Sequence, residues 1–600
     1  MRKRKSPDIE PETPSREDTQ DAGTSRRDFL ASGAIGLAAV AVGSGSPVTT
    51  ALSASTAAKT TARSLEVPRK LLKGGIVLTL EQRDHEGTGD FEKADVLING
   101  KKIEAIGPDL GIGGGAQIID CAGTIVMPGF ITTHHHQYET PARSVIPEGL
   151  LQGGWPQESY GSVVQNIWTA GRIPGVWDIG RPPMEPEDVY LAELVASLSQ
   201  LTEGITCGVD TSQASHTAEH TDAMIQGLMD SGARAVYDYS GGTNRGGSFE
   251  FPGAIGNNTT GLGRIATKYF NSSDQLVTLA FAGGPGAAFS GAEYTGWQMA
   301  RHFGASINNH NVGAPNTVIN AAADTRNGDD WSDVTLVHCV RWQDNNEAQI
   351  STNTPSLAWQ IFADKGGHAS IANLIEMQMR HGMPPFQLAL NYGILPSLSP
   401  DVDTNMTTDP FSLMRGAFCL QRALANDLAF PNQTGNPPRG GSNPAGLPLP
   451  QLITSRQCIE MATIAGAASA QLLDKVGTLK VGKEADIVVL DARNINVTPM
   501  NNVPGTIVTM MNPRHVRDVF VAGQTKYTNG KLVGWDMNKL LRDVEKSHER
   551  ILSRIRGSSI LGPLPNGNNT TGGSNYRPNF LGSCCYDGQN TTAPHYVLRP

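Results

Sequence analysis

Seven cysteines in 600 residues are too few and too scattered for a disulfide framework. Only Cys584 and Cys585 stand together, and adjacent cysteines bridge each other only with strain. Charged residues make up 18% of the chain, and 48 basic against 57 acidic side chains leave a net charge of −9. A polyanion wants a basic face, so this balance argues against nucleic acid as the main partner. No run offers the ~20 strongly apolar residues of a membrane span; the uncharged stretch 29–58 is mostly Ala, Gly, Ser and Thr. There is no internal repeat and no GxGxxG between a strand and a helix, which weakens a nucleotide-cradle reading. What is present is ordinary globular material: 39% hydrophobic residues, with 67 Gly and 37 Pro that call for many loops. The length asks for several domains of roughly 150 residues, or for one large barrel with additions.

The first sixty residues read as an address. Arg2-Lys3-Arg4-Lys5 is followed by a polar stretch, then by Ser25-Arg26-Arg27-Asp28-Phe29-Leu30 and the weakly apolar run, with small residues near 51–58. This pattern resembles a twin-arginine export signal over 1–58. The resemblance implies passage through the twin-arginine export machinery and a periplasmic or secreted protein. Residues 1–57 carry seven basic and seven acidic side chains, so removing them leaves the net charge at −9.

Beyond the address, the two ends of the chain share one texture. Residues 71–80 and 95–106 read as strands, the second with a hairpin signal at Asn99-Gly100. The texture returns at 485–491, 516–522 and 531–533, around Asn529-Gly530. Two hairpin-rich ends predict one small composite β-sandwich from 66–127 plus 478–535. The middle, 128–477, alternates apolar runs (125–131, 233–239, 277–282, 306–309, 335–337, 394–398) with amphipathic stretches such as 220–229 and 355–363, where Pro355 suits a first helical position. Alternation over about 350 residues is the pattern of an α/β fold with a parallel sheet, here expected as a (β/α)8 TIM-like barrel. A last helix is expected at 537–555, with Leu540, Leu541, Val544, His548, Ile551 and Ile555 on one stripe. An irregular tail completes 536–600.

The chemistry concentrates at strand ends. Met127-Pro128-Gly129-Phe130-Ile131-Thr132-Thr133 runs into His134-His135-His136. Alternate side chains of a strand share a face, so His134 and His136 point one way and His135 the other. Two imidazoles on one side of a strand end can grip a metal ion, although a polar strand end is an equally ordinary use of them. His310, His338 and Asp401 each follow another β-like run. Any one alone would be unremarkable, but the set converges on a single barrel mouth. Three or four N and O donors suit a catalytic Zn2+, and Fe2+ or Mn2+ are also compatible.

These segments resemble the metal-dependent amidohydrolase superfamily, in particular its cytosine deaminase and triazine-hydrolase-like branch. Residues 127–136 match its PGFIDxHxH motif, with Thr132 in place of the Asp. Segments 204–210, 220–223, 231–236, 462–467 and 476–491 resemble its barrel segments and its return to the β-domain. The resemblance covers about 66–535. It implies His134, His136 and His310 as metal ligands, Asp401 as ligand and proton carrier, and His338 as the group that polarises the carbon under attack. No Lys ends a β-run between 233 and 290 to bridge two metals, so one divalent ion is expected. The branch usually has Glu three residues after the His310 position; here that residue is Gly313. Glu376 and His381 are the candidates for a substitute proton donor, against a reading as a solvated loop or helix-packing pair. Trp155 and Trp168, with Tyr160 and Trp177, are candidates to wall an aromatic or cyclic substrate, against ordinary loop packing.

The expected activity is hydrolysis of non-peptide C–N bonds in a cyclic amide or amino-heterocycle, using a water whose pKa the metal lowers from 15.7 to roughly 7. The alternatives are a dehalogenase, a dipeptidase-type amidohydrolase, and a metal-free binding protein on a degenerate version of the fold. The expected partner is a small-molecule substrate, and a homo-oligomer is compatible with the sequence.

Overall fold

A computed structural model describes residues 69–81, 89–111, 115–147, 149–151, 160, 184–240, 258–285, 294–342, 356–429 and 449–555. The export signal, Trp155, Trp168, Trp177, the tail and the Cys584-Cys585 pair lie outside them.

Nine strands from the two ends make one mixed sheet. The leading five are β1 (Lys70–Val77), β2 (Phe91–Asn99), β3 (Lys102–Gly107), β4 (Gln117–Asp120) and β5 (Thr124–Pro128); the returning four are β14 (Ile487–Asp491), β15 (Val516–Val521), β16 (Gln524–Thr528) and β17 (Lys531–Leu532). The order is β17-β16-β15-β14-β5-β1-β2-β3, with β4 beside β1. The ends meet where β5 pairs antiparallel with β14, from Thr124–Asp491 to Pro128–Ile487. The composite domain is therefore one continuous sheet, and both Asn-Gly turns close hairpins as expected.

The middle strands form the expected parallel barrel: β6 (Phe130–His135), β7 (Ile205–Ser212), β8 (Arg234–Tyr239), β9 (Val277–Phe281), β10 (Ser306–Val312), β11 (Val334–Val340), β12 (His368–Ile371) and β13 (Ser397–Leu398), in that order. Most of their side chains are buried, as a parallel sheet covered by helices requires. The last strand returns to the first. The Thr133 hydroxyl bonds with those of Ser370 (2.7 Å) and Ser397 (2.8 Å), and His135 bridges to Asp401.

The apolar run 125–131 proves to be two strands in two sheets. Gly129 is the joint: a Cβ there would meet Thr206 at 2.2 Å. A buried ion pair holds the sheet to the barrel. Arg234 of β8 donates to Asp486 (2.8 and 3.0 Å) and Glu484 (2.6 Å), just before β14.

Five helices bear on the site. Helix α1 (Pro186–Thr202) opens with a Glu185–Asp188 capping box, and α2 (Ala218–Ser231) runs from a Thr217 cap to left-handed Gly232. Helix α3 (Leu357–Asp364) starts after Ser356, whose hydroxyl accepts from the Trp359 N–H. Ser356 therefore caps this helix, and Pro355 lies outside the described residues. Helix α4 (Asn373–Gln378) follows β12, and α5 (Met537–Ile555) is the expected terminal helix. On α5, Leu540 and Ile551 are buried, but Leu541 is 54% exposed and leaves the expected stripe. Four tryptophans (Trp297, Trp331, Trp342 and Trp359) are fully buried in the main hydrophobic cluster.

Candidate metal and active site

The site sits at the C-terminal ends of the barrel strands, the usual functional face of such a barrel. β6 delivers His134 and His136 to one side. His135 turns the other way, and its Nδ1 accepts from Gln200 Nε2 of α1 (3.0 Å). Asp401, just past β13, is held by two backbone bonds to β6: His136 N–H to the Asp401 carbonyl (2.8 Å) and Asp401 N–H to the His134 carbonyl (3.1 Å). This residue sits at φ +62°, which aims its carboxylate into the site.

The donors converge. Ligand atoms of His134, His136, His310 and Asp401 lie within 4.8 Å of one another. Asp401 Oδ1 is 3.1 Å from His134 Nε2 and 3.4 Å from His136 Nε2, and the Nε2 atoms of His136 and His310 are 3.2 Å apart. His136 Nδ1 lies 3.1 Å from the Thr211 carbonyl, which can only accept, so the proton sits there and Nε2 presents a bare lone pair. His134 Nδ1 meets the Thr211 hydroxyl at 2.7 Å. A lone pair facing a carboxylate oxygen and another imidazole nitrogen is an arrangement that a cation reconciles, and three N donors with one O match a divalent-metal set. The residues present fit the metal.

The electrostatics agree. Burial lowers the pKa of His134 to about 3. His310 is held well below the ordinary histidine value by burial and by the three neighbouring histidines, although its ring lines an open cavity. Burial opposes ionisation of Asp401, yet His338, His134 and His136 hold its carboxyl well below the usual range. His134 and His310 are thus neutral and Asp401 ionised, the protonation states a metal needs.

His338, at φ +73° near the end of β11, places Nε2 3.8 Å from Asp401 Oδ2. Its Nδ1 meets Glu376 Oε1 of α4 at 3.1 Å, and the same oxygen accepts from the Ala372 N–H (2.9 Å). Glu376 is fully buried, and burial pushes its carboxyl up to about 8. The solvated-loop reading of Glu376 therefore fails. Its contact is with Nδ1 of His338, the ring nitrogen turned away from Asp401. His381 joins the same corner, its ring edge-on to that of His338 at 4.9 Å.

Tyr160, expected on the pocket wall, is buried in the main core, and its hydroxyl donates to Glu139 Oε1 at 2.5 Å. Beside His310 lies a cavity of about 390 Å3 lined by Gln213, Ser240, Trp297, Asn309, Asn311 and Thr317 among others. Two indoles fix its asparagines: Trp297 Nε1 donates to Asn309 Oδ1 (2.8 Å) and Trp342 Nε1 to Asn311 Oδ1 (3.0 Å).

Residues 298–527 match the model of the amidohydrolase family. The chain is 25% identical over 504 residues to the 5'-deoxyadenosine deaminase of Methanosarcina mazei, covering 81% of this chain and 99% of that one. It is 24% identical over 502 residues to the 5-methylthioadenosine/S-adenosylhomocysteine deaminase of Pelotomaculum thermopropionicum, with the same coverage. In structure it is similar to the zinc complex of atrazine chlorohydrolase TrzN from Arthrobacter aurescens, with TM-score 0.60, 19% identity, and 80% and 99% of the chains covered. A zinc-bound adenosine deaminase from Xanthomonas campestris gives TM-score 0.59 at 18% identity, over 80% and 98%. These matches together support the amidohydrolase superfamily for this chain.

The site shows two features that the sequence did not single out. Thr211 at the end of β7 orients both β6 histidines, one through its hydroxyl and one through its carbonyl. Tyr138, whose hydroxyl is 3.4 Å from His136 Nδ1, donates to Gln213 Oε1 (2.9 Å) and so ties the metal corner to the cavity wall. The only available signal for Thr211 was its position one residue beyond the family-like segment 204–210.

Proposed function

We propose that this amidohydrolase uses one divalent ion, Zn2+ as the first choice, to hydrolyse a non-peptide C–N bond in an amino-heterocycle or cyclic amide. The observation that carries the reading is the four-donor cluster with His338 beside it. His134, His136, His310 and Asp401 would hold the ion. When bound, it would supply Lewis acidity and acidify a water to a pKa of roughly 7.

The chain's own residues divide the remaining work. Asp401 Oδ2, on the His338 side, takes the proton from the attacking water and passes it to the leaving nitrogen. His338 Nε2 faces the carbon under attack and stabilises the negative charge that develops on its substituent. Glu376 fixes the His338 ring and tautomer from behind. His381, edge-on to the His338 ring at 4.9 Å, is the candidate proton donor in this corner. Substrate occupies the cavity beside His310, where Asn309 and Asn311 are held rigid by their indole donors.

The relatives named for adenosine-type deamination favour an amino-heterocycle. Gly313 tempers that choice, since the strand that carries His310 offers no carboxyl three residues on to protonate a ring nitrogen. Cyclic-amide opening therefore stays in the substrate class. Twin-arginine export to the periplasm or medium is part of the same proposal and rests on residues 1–58 alone.

The test is a zinc-reconstituted full chain assayed on amino-heterocycles and cyclic amides, with ammonia release and ring opening followed separately. Turnover lost on chelation and restored by the ion supports the reading. Full activity in the stripped protein defeats it.

A further inference from the structure

The position that lacks its acid is filled from another strand. Gly313, just past β10, has φ +66°, and a Cβ there would come within 3.2 Å of Arg341 Cζ and Nε and 3.4 Å of Nη2. A second glycine adjoins the stem of the same side chain: a Cβ on Gly382 would lie 3.0 Å from Val340 Cβ and 3.3 Å from Arg341 Cγ. Arg341 itself follows His338 by three residues at the end of β11, where His338, Cys339 and Arg341 all take positive φ and fold the chain over the barrel mouth. A side chain at Gly313 would crowd the guanidinium by a few tenths of an ångström, and one at Gly382 would crowd the stem of Arg341.

That guanidinium is exposed, and no carboxylate, carbonyl or amide accepts from it among the described residues. Three other guanidinium groups contrast with it. Arg234 is spent on Asp486 and Glu484, Arg143 on Asp403, and Arg301 on Asp333. The nearby acids are also engaged, Glu376 with His338 and Asp401 with the histidine cluster. A cation with a rigid planar fork, held at the mouth of the histidine site and left without a counter-ion among the described residues, is equipped to take a carboxylate or phosphate bidentately.

We propose that Arg341 is a substrate-specificity residue, and that the amidohydrolase acts on compounds carrying an anionic group, carboxylate or phosphate, beside the scissile C–N bond. This deepens the function proposed above and rests on it for the reaction, though not for the binding. A guanidinium cannot act as the acid that Glu would be, because it does not release its proton at any working pH. The exchange of carboxyl for guanidinium therefore shifts the site from protonating a ring towards gripping an anion.

Two measurements separate the proposals. Binding is read by calorimetry on the zinc-loaded full chain with benzoate and its neutral isostere benzamide, and with phenyl phosphate as the phosphate arm. Turnover is read on matched pairs, dihydrouracil against dihydroorotate and pterin against pterin-6-carboxylate. The expected result is anion binding at least about tenfold tighter than benzamide, a preference of the size one charged hydrogen-bonded pair provides. Arg341→Gln should remove that preference with metal content and circular dichroism unchanged, while Arg341→Lys keeps part of it. The stronger of the benzoate and phosphate arms names the anion.

For substrates, Arg341→Gln should raise KM for the carboxylated member of each pair and leave the neutral member unchanged. Equal binding of benzoate and benzamide overturns the proposal. So does anion binding that survives Arg341→Gln, which would assign it to the metal. Equal loss of kcat on neutral and anionic substrates would also overturn it, giving Arg341 a role on the reacting carbon. If none of the four compounds is turned over but benzoate binding still depends on Arg341, the anion site stands and the reaction class fails. If neutral substrates turn over with no anion preference, the reaction class stands and the anion site fails.

Discussion

One barrel mouth holds two buried titratable clusters with opposite behaviour. The first is the metal corner of β6, β10 and β13, where Asp401 stays ionised although it is buried. The second lies one strand over, around β7 and β8. There Asp210, Asp238, Glu193 of α1 and Glu139 are all fully buried, and burial drives each carboxyl well above its ordinary range. Burial is therefore common to both and decides neither. Asp401 faces imidazoles, which can donate or share a cation; Asp210 faces Glu193, a second carboxyl, and the backbone N–H of Gln137 (3.2 Å). Two carboxyls at one site cannot both ionise, so this pair retains a proton. One cluster is built to hold a positive ion and the other to stay uncharged.

The sharpest way to break this contrast is to remove the donors. A His134→Ala/His136→Ala double variant should lose both bound metal and turnover, read by elemental analysis and by ammonia or ring-opening assay. Next comes Glu376→Gln. Metal content should persist while kcat falls by about 10–100-fold, the usual cost of losing an orienting partner behind an active imidazole. Loss of metal instead would place His338 among the ligands. Thr211→Val deletes the hydroxyl on His134 Nδ1 and leaves the carbonyl on His136. It should weaken metal affinity by roughly tenfold, the lower end of the same range.

The smallest effect belongs to the uncharged cluster. Glu193 has a folded pKa raised above its unfolded value, so the native state binds the extra proton. Its contribution to stability is then greatest below about pH 4 and falls as pH rises, by at most ~1.4 kcal/mol per pH unit. Glu193→Gln, which cannot ionise, should flatten that decline between pH 5 and 8 in urea titrations and leave metal content unchanged. An unchanged slope would mean that Glu193 carries no extra proton in the native state.

How much of this was legible depended on which distances the chain itself fixes. His134 and His136 could be read because strand alternation sets their shared face within three residues. His310 and Asp401 could be read because each ends a run at the same end of a parallel sheet. β7 and β12 were not among the apolar runs: Ile205–Ser212 carries Thr, Cys, Gly, Asp and Ser that are buried and bonded inside, and His368–Ile371 is only four residues long. β16, whose side chains are half-exposed or exposed, has no apolar face to show. The split at Gly129 was invisible because both sheets want the same apolar residues. Glu376 could be read as a proton donor, a solvated loop residue or a helix-packing partner, because nothing local says that the helix after β12 turns its carboxyl onto a histidine 38 residues earlier. Arg341 had no signal at all, since its place over Gly313 is made by two separate strand ends.

The central claim is that four side chains brought together from three strand ends hold one divalent ion. The most direct measurement is the metal stoichiometry of the purified chain after zinc reconstitution, beside that of the His134→Ala/His136→Ala variant at matched circular dichroism. About one ion per chain in the parent and none in the variant is the expected result. An equal metal content in both, or none in a folded parent, would contradict it.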